Sequence, residues 1–145
     1  MYRRVQFARS NRPPMTFADN SPHRSWRDKF ACALAGISRA MRTQVSFFVH
    51  LFVAAAVVAL AAALRCGLIE WCLLLLCIAA VLAAETFNTA LERMAKAITS
   101  EHDANIGDAL DIASAAVLLA AMGASAVGLA VFGRRLAVLL GWWTE

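Results

Sequence analysis

Paired cysteines are missing from this sequence. Cys32, Cys66, Cys72 and Cys77 form no CxxC, and no histidine stands at ligand spacing from them, which excludes the usual zinc frameworks. Cys72 and Cys77 lie inside an apolar run, where a thiol behaves as a small hydrophobe. Proline is absent after Pro22: Pro13, Pro14 and Pro22 all fall among the Arg, Ser and Asn of the first 24 residues. That segment, 1–24, reads as a disordered basic arm. No apolar stretch follows its charges at the distance a signal peptide requires. Acid is scarce there too. Only Asp19 and Asp28 oppose Arg3, Arg4, Arg9, Arg12, Arg24, Arg27, Lys29, Arg39 and Arg42. No base-reading motif accompanies this charge, so nucleic acid is not the expected partner. The arm leads straight toward a membrane segment. Attraction to anionic headgroups and a cytoplasmic N-terminus are the better readings.

What the sequence has in excess is apolar surface. Hydrophobic residues make up 61% of 145 residues, with a mean hydropathy of +0.61, far above an ordinary soluble domain. They are grouped into long runs, which places the chain in the membrane class as a single domain. From Ser25 to Gln44, Trp26, Phe30, Leu34, Ile37 and Met41 recur every three or four residues with basic side chains between them. The pattern predicts an amphipathic helix, 25–44, suited to the inner leaflet. The alternative, a core helix of a soluble domain, finds no other soluble segment to pack against.

Three spans follow. Val45 to Leu64 carries no formal charge and has the length a bilayer core demands; His50, in its first turns, is expected at the interface or against a neighbour. Arg65-Cys66-Gly67 is a very short turn, so the second span, 68–91, returns antiparallel, with Glu70 and Trp71 at an interface. Its helical pattern continues to about Ile98. Thr99 to Asp108 is polar and mixed in sign, a cytoplasmic loop with Asn105 or Asp108 as the expected N-cap. The third span, 109–132, is rich in Ala, Gly and Ser, the residues that let helices approach closely in lipid. The membrane domain is thus expected over 25–140, its last residues belonging to a C-terminal tail, 133–145. Arg134 and Arg135 then lie outside, against the positive-inside tendency, which the basic N-terminus dominates.

The chemistry-bearing stretch is Ala84-Glu-Thr-Phe-Asn-Thr-Ala-Leu-Glu92. Glu85, Asn88 and Glu92 stand at i, i+3 and i+7 and share one helix face. Ionisable groups beside a hydrophobic run are costly, so they face a polar cavity and mark function. Asp111 occupies the equivalent boundary on the next helix, where the four residues can converge. Two carboxylates and an amide suit a magnesium–phosphate site, leaving one carboxylate to accept the proton of an attacking hydroxyl. The competing reading is that these residues join helices or sit in the headgroup layer.

Glu85-Thr-Phe-Asn88-Thr-Ala-Leu-Glu92, followed by Asp111-Ile-Ala-Ser-Ala-Ala-Val-Leu118, resembles the signature E-x-x-N-[ST]-A-[IL]-E … D-x-[AG]-[SA]-A-A-V-L of the bacterial diacylglycerol kinase and undecaprenol kinase family. Phe30-Ala-Cys-Ala-Leu-Ala-Gly36, Phe47-Phe-Val-His50-Leu and Glu70-Trp71 extend the similarity from Ser25 to about Phe132. The resemblance implies an all-α integral membrane fold, with a surface helix and three spans in a homotrimer whose sites are shared between subunits. It also implies ATP- and Mg²⁺-dependent phosphorylation of a lipid hydroxyl, diacylglycerol first and undecaprenol as the alternative, at the bacterial inner membrane. Carried over by position, Glu85 resembles the general base, Asn88 a site-ordering residue, Glu92 a magnesium ligand and Asp111 the essential acid of the third helix. No Walker A loop or protein-kinase motif is present, as this separate kinase class implies.

The chain also departs from the family pattern. Gln44 occupies the position of a second metal carboxylate, Leu110 that of a phosphate-contacting Lys, Lys96 that of an Asp and Cys32 that of an aromatic. The lipid-facing residues are retained and the nucleotide-facing side is altered. A degenerate, lipid-binding relative is therefore one competing reading. A small transporter using the acids as a proton path is another, though the acids cluster at one boundary and do not track across the bilayer.

Overall fold

The computed structural model describes residues 25–43, 45–99, 101 and 103–142, without the side chains of residues 42, 43 and 45. The basic arm and Gln44 lie outside the described residues. Four helices account for nearly all of the rest: α1 (Trp26–Thr43), α2 (Val45–Ala63), α3 (Leu68–Ile98) and α4 (Ala104–Leu139). The last three are long and apolar enough to cross a membrane.

Length decides where each helix extends past the hydrocarbon. The 19 residues of α2 span about 28 Å, close to a bilayer core, whereas the 31 of α3 and 36 of α4 reach roughly 46 and 54 Å. The excess of α3 lies in its second half, where Glu85, Glu92, Arg93 and Lys96 sit. Helix α4 overruns its expected boundary at Phe132 and stays helical to Leu139, so most of the segment 133–145 is not an irregular tail. Arg134 and Arg135 do not stop it, because arginine is a good helix former.

The helix ends explain the turns. Arg65 adopts φ 50°, and Arg65 N–H and Cys66 N–H donate to the carbonyls of Ala62 and Ala61 (3.2 and 3.0 Å). This is a Schellman closure with arginine where glycine is favoured. Gly141, at φ 72°, closes α4 in the same way through bonds to Val138 and Ala137. Helix α3 begins at Gly67, which has no side chain to cap it; the Glu70 carboxylate instead accepts Gly67 N–H at 2.7 Å. The N-cap of α4 is Asp103, not the expected Asn105 or Asp108. Its Oδ1 accepts from the amides of Asn105 (2.9 Å) and Ile106 (3.1 Å), because only the residue before the first helical turn has its side chain beside those free N–H groups.

Helices α2, α3 and α4 run antiparallel in sequence, α3 packing along α4 and more briefly on α2, while α1 touches the start of α2 and the site half of α3. An apolar cluster of Ala61, Leu74 and Val131, with Val57, Trp71, Val127 and Phe132 around it, holds the turn end together. The distribution of polarity is inverted relative to a soluble protein. Glu70, Glu85, Asn88 and Thr89 are buried, while Phe52, Ile112 and Leu129 are exposed. Lipid accepts apolar side chains on the outside and penalises unpaired polar ones, so this inversion is the arrangement a membrane favours.

Candidate active site

The second half of α3 turns one polar face inward, as the i, i+3, i+7 spacing requires. Glu85 is 2% exposed and Asn88 9%, and Asn88 Nδ2 donates to Glu92 Oε1 at 3.3 Å. Glu92 also lies 3.9 Å from the ammonium of Lys96, one turn on. Thus the amide holds Glu92, while Glu85, one turn before Asn88 on the same face, is the more deeply buried carboxylate.

Two helices complete the surroundings. A cavity of about 300 Å³ is bordered by Ser46 and His50 of α2, Glu85 and Asn88 of α3, and Ser114 of α4. His50 Nε2 stands 3.9 Å from Glu85 Oε2. Ser114 returns its hydroxyl to its own helix, donating to the Leu110 carbonyl at 3.0 Å. Toward the bilayer centre a second cavity of about 320 Å³ opens, lined by apolar residues such as Val57, Val81 and Gly128. His50 and Ala121 border both spaces, so a polar chamber adjoins an apolar groove. Such a pair of spaces suits an amphiphile, its head among the polar groups and its chain in the groove.

Among the described residues, two buried side-chain atoms have no hydrogen-bond partner: Asn88 Oδ1 and Thr89 Oγ1. Orphaned polar atoms in an apolar setting cost roughly 1–3 kcal/mol each, and they are rare enough to point to a ligand or a neighbouring surface.

The remaining expected site residues separate here. Asp111 is exposed on α4 and does not border the polar cavity of this chain. Leu110 instead borders an apolar space with Leu91, Met94 and Ile98 at the end of α3, into which a lysine at this position would bring charge. Gln44, expected to help hold metal and nucleotide, lies outside the described residues. His50 was legible in Phe47-Phe-Val-His50 only as a residue facing a neighbour; the neighbour is Glu85. Nothing in the spacing of Ser46 or Ser114 singles either out, because both depend on how α2 and α4 are rotated against α3.

As for metal, Mg²⁺ takes oxygen ligands and commonly keeps several from phosphate and water. The Glu92 carboxylate and the unpartnered Asn88 carbonyl oxygen are donors of that kind. Among the described residues no three His, Cys, Asp or Glu side chains gather around one point. An ion held here therefore completes its shell with phosphate and water, which the donor set fits.

Comparison with known proteins agrees with this architecture. Residues 31–132 match the family described as prokaryotic diacylglycerol kinase. An undecaprenol kinase of Bacillus subtilis (strain 168) is 30% identical over 118 residues, covering 79% of this chain and 96% of that protein. A diacylglycerol kinase of Synechocystis is 37% identical over 100 residues, covering 68% of this chain and 57% of that one. No solved structure matches. With the family's match running from α1 to the far end of the apolar groove, this chain belongs to the prokaryotic diacylglycerol kinase family, a family of membrane-embedded lipid kinases.

Proposed function

We propose that this protein transfers the γ-phosphoryl group of ATP to the hydroxyl of a membrane lipid, with diacylglycerol as the substrate and phosphatidic acid as the product. The observation that carries the reading is the buried Glu85, which borders a polar cavity that adjoins an apolar groove. A lipid whose chain occupies the groove brings its head group to that carboxylate. Glu85 accepts the hydroxyl proton while the lipid oxygen forms its bond to the γ-phosphorus and the bond to the β–γ bridging oxygen breaks, releasing ADP. Asn88 orders Glu92 through its side-chain bond. Glu92, with Gln44, is the ligand set for Mg²⁺, which when bound offsets triphosphate charge. Asp111 serves nucleotide and catalysis from the start of α4.

Because Asp111 is exposed and outside the cavity of its own chain, it acts in a neighbour's site, which supports a homotrimer with shared sites. The broad apolar exposure of α4 supports the same assembly. The chain lies in the bacterial inner membrane with its N-terminus cytoplasmic and α1 on the inner leaflet, its exposed Trp26, Phe30 and Leu34 toward the acyl layer. A second reading has undecaprenol as the substrate; it is favoured by the Bacillus relative, 96% of which aligns with this chain. Gln44 and Leu110 also leave room for a lipid-binding relative without efficient transfer.

The test is the initial rate of ATP-dependent phosphorylation of diacylglycerol and of undecaprenol by purified protein in detergent–lipid mixtures. A higher kcat/KM for diacylglycerol is expected, and the reverse order makes this an undecaprenol kinase. No phosphorylation of either lipid sinks the kinase reading. In an active protein, Gln44→Glu lowers the Mg²⁺ requirement, and adding Leu110→Lys lowers the KM for ATP further, because both restore charge beside the triphosphate.

A further inference from the structure

A base that takes a proton in each turnover must lose it before the next. For an exposed carboxylate, water does this at no cost. Glu85 has little such outlet during turnover: its side chain is 3% exposed, and the cavity it borders is the one the lipid head fills. The imidazole of His50 faces it, with Nε2 at 3.9 Å from Oε2 and a side chain that is 22% exposed. The distance is too long for a hydrogen bond, and a small rotation of the imidazole or one intervening water closes it. His50 therefore touches both the buried acid and the outside of the chain.

We propose that His50 is the proton exit of the site, resting on the reading of Glu85 as the general base. In the transfer step the lipid O–H bond breaks and its proton moves to Glu85 as the lipid oxygen bonds to phosphorus. The neutral Glu85 then gives this proton to the neutral imidazole at Nε2, restoring the carboxylate. The imidazolium releases it to water, restoring His50. No electron changes hands, and one proton leaves per lipid phosphorylated. The direction of the handover follows from ordinary side-chain chemistry, imidazole being a stronger base than carboxylate. His50 acts through Glu85 and not on the substrate, whose head it does not need to contact.

The surroundings keep this exchange private. Among the described residues bordering the cavity, α2 supplies His50 and α3 supplies Glu85 as titrating groups. Asn88 and the serines of α2 and α4 do not titrate in the working range, and no described residue of α1 borders it. A second carboxylate that would hold the proton on its way out is not among them.

The experiment is a pH–rate profile of ATP-dependent lipid phosphorylation for wild type, His50→Gln and His50→Asn in the same detergent–lipid mixture, with Glu85→Gln as reference. Replacing His50 is expected to lower kcat about ten- to a hundredfold, leave the KM for ATP and lipid within about twofold, and abolish the acid limb that imidazole protonation imposes. In a separate measurement without substrates, the ¹⁵N imidazole signals of His50 are expected to shift in Glu85→Gln. An active wild type whose two His50 variants keep kcat at every pH overturns the relay and leaves the kinase reading standing. A fall in kcat with the acid limb intact makes His50 structural and also overturns it. Unmoved imidazole signals remove the contact itself. A wild type that phosphorylates neither lipid overturns the kinase reading, and the relay with it.

Discussion

Glu70 and Glu85 are the same side chain, buried to a similar degree on the same helix, at opposite ends of the bundle. Glu70 is surrounded by donors. Gly67 N–H lies at 2.7 Å, Arg135 Nε and Nη2 both at 2.6 Å, and Arg134 Nη1 at 3.4 Å. A methyl group added at Gly67 would meet the Arg135 guanidinium at 3.1 Å, so this corner has little room for anything else. Glu85 has an imidazole at 3.9 Å and an open cavity. A buried carboxylate held by an amide and two guanidiniums ties a turn to a distant helix. One left under-satisfied keeps its bonding capacity for a ligand, and the fold bears the cost. Burial alone does not separate the two; the donors do.

The sharpest way to break this comparison is Glu85→Gln, which preserves shape and removes basicity. Turnover is expected to fall by roughly two to four decades, while helicity by circular dichroism and the unfolding midpoint in denaturing detergent stay near wild type. Near-normal turnover would mean that the open carboxylate is not the base. Glu70→Gln should do the opposite. It removes the carboxylate charge that both guanidiniums face, so unfolding is expected to become easier by on the order of 3 kcal/mol, with turnover per folded molecule within about twofold. A large loss of turnover without a loss of stability would place Glu70 in the chemistry after all.

Smaller changes sharpen the contrast between the ends. Among the described residues, the turn between α3 and α4 has no ion pair like that of Glu70 and is closed by the Asp103 cap. Asp103→Ala should therefore cost only about 1 kcal/mol, read as a modest shift in the same unfolding midpoint; a shift as large as that of Glu70→Gln would show the two turns to be equally critical. The smallest effect is a report from Cys66, between α2 and α3. Burial pushes this thiol above its ordinary value, Glu70's charge raises it further, and Arg135 opposes them. Removing the carboxylate charge leaves Arg135 acting alone against burial, so the thiolate fraction rises. Maleimide labelling of Cys66 near pH 8 is expected to be about two- to threefold faster in Glu70→Gln than in wild type. An unchanged or slower rate would mean that Glu70's charge is not felt at this turn.

Much of this was legible in the residues. The uncharged run from Val45 to Leu64, the abrupt Arg65-Cys66-Gly67 turn and the polar break at Thr99 define three crossings, because hydrocarbon accepts only helices of sufficient length. The file Glu85–Asn88–Glu92 was equally plain, since helical periodicity brings those positions together whatever surrounds them. Less legible was the α4 cap. Asp103, Asn105 and Asp108 are all plausible caps by type, and only the backbone direction at Asp103 selects among them. Arg134 and Arg135 resemble a breach of charge topology in the sequence, and the packed bundle turns them into the partners of Glu70.

By itself, then, the sequence determined the number of helices, the polar face of α3 and the family to which the signature belongs. These are local properties, set by residue type and by a fixed rise and turn per residue. Only the tertiary structure decided that His50 meets Glu85, that Arg134 and Arg135 converge on Glu70, and that Asp111 stays outside the cavity of its own chain. Each of those depends on how far one helix is rotated and shifted against the next. That choice comes from the summed packing of many apolar side chains along α2, α3 and α4, and no short stretch of sequence carries it.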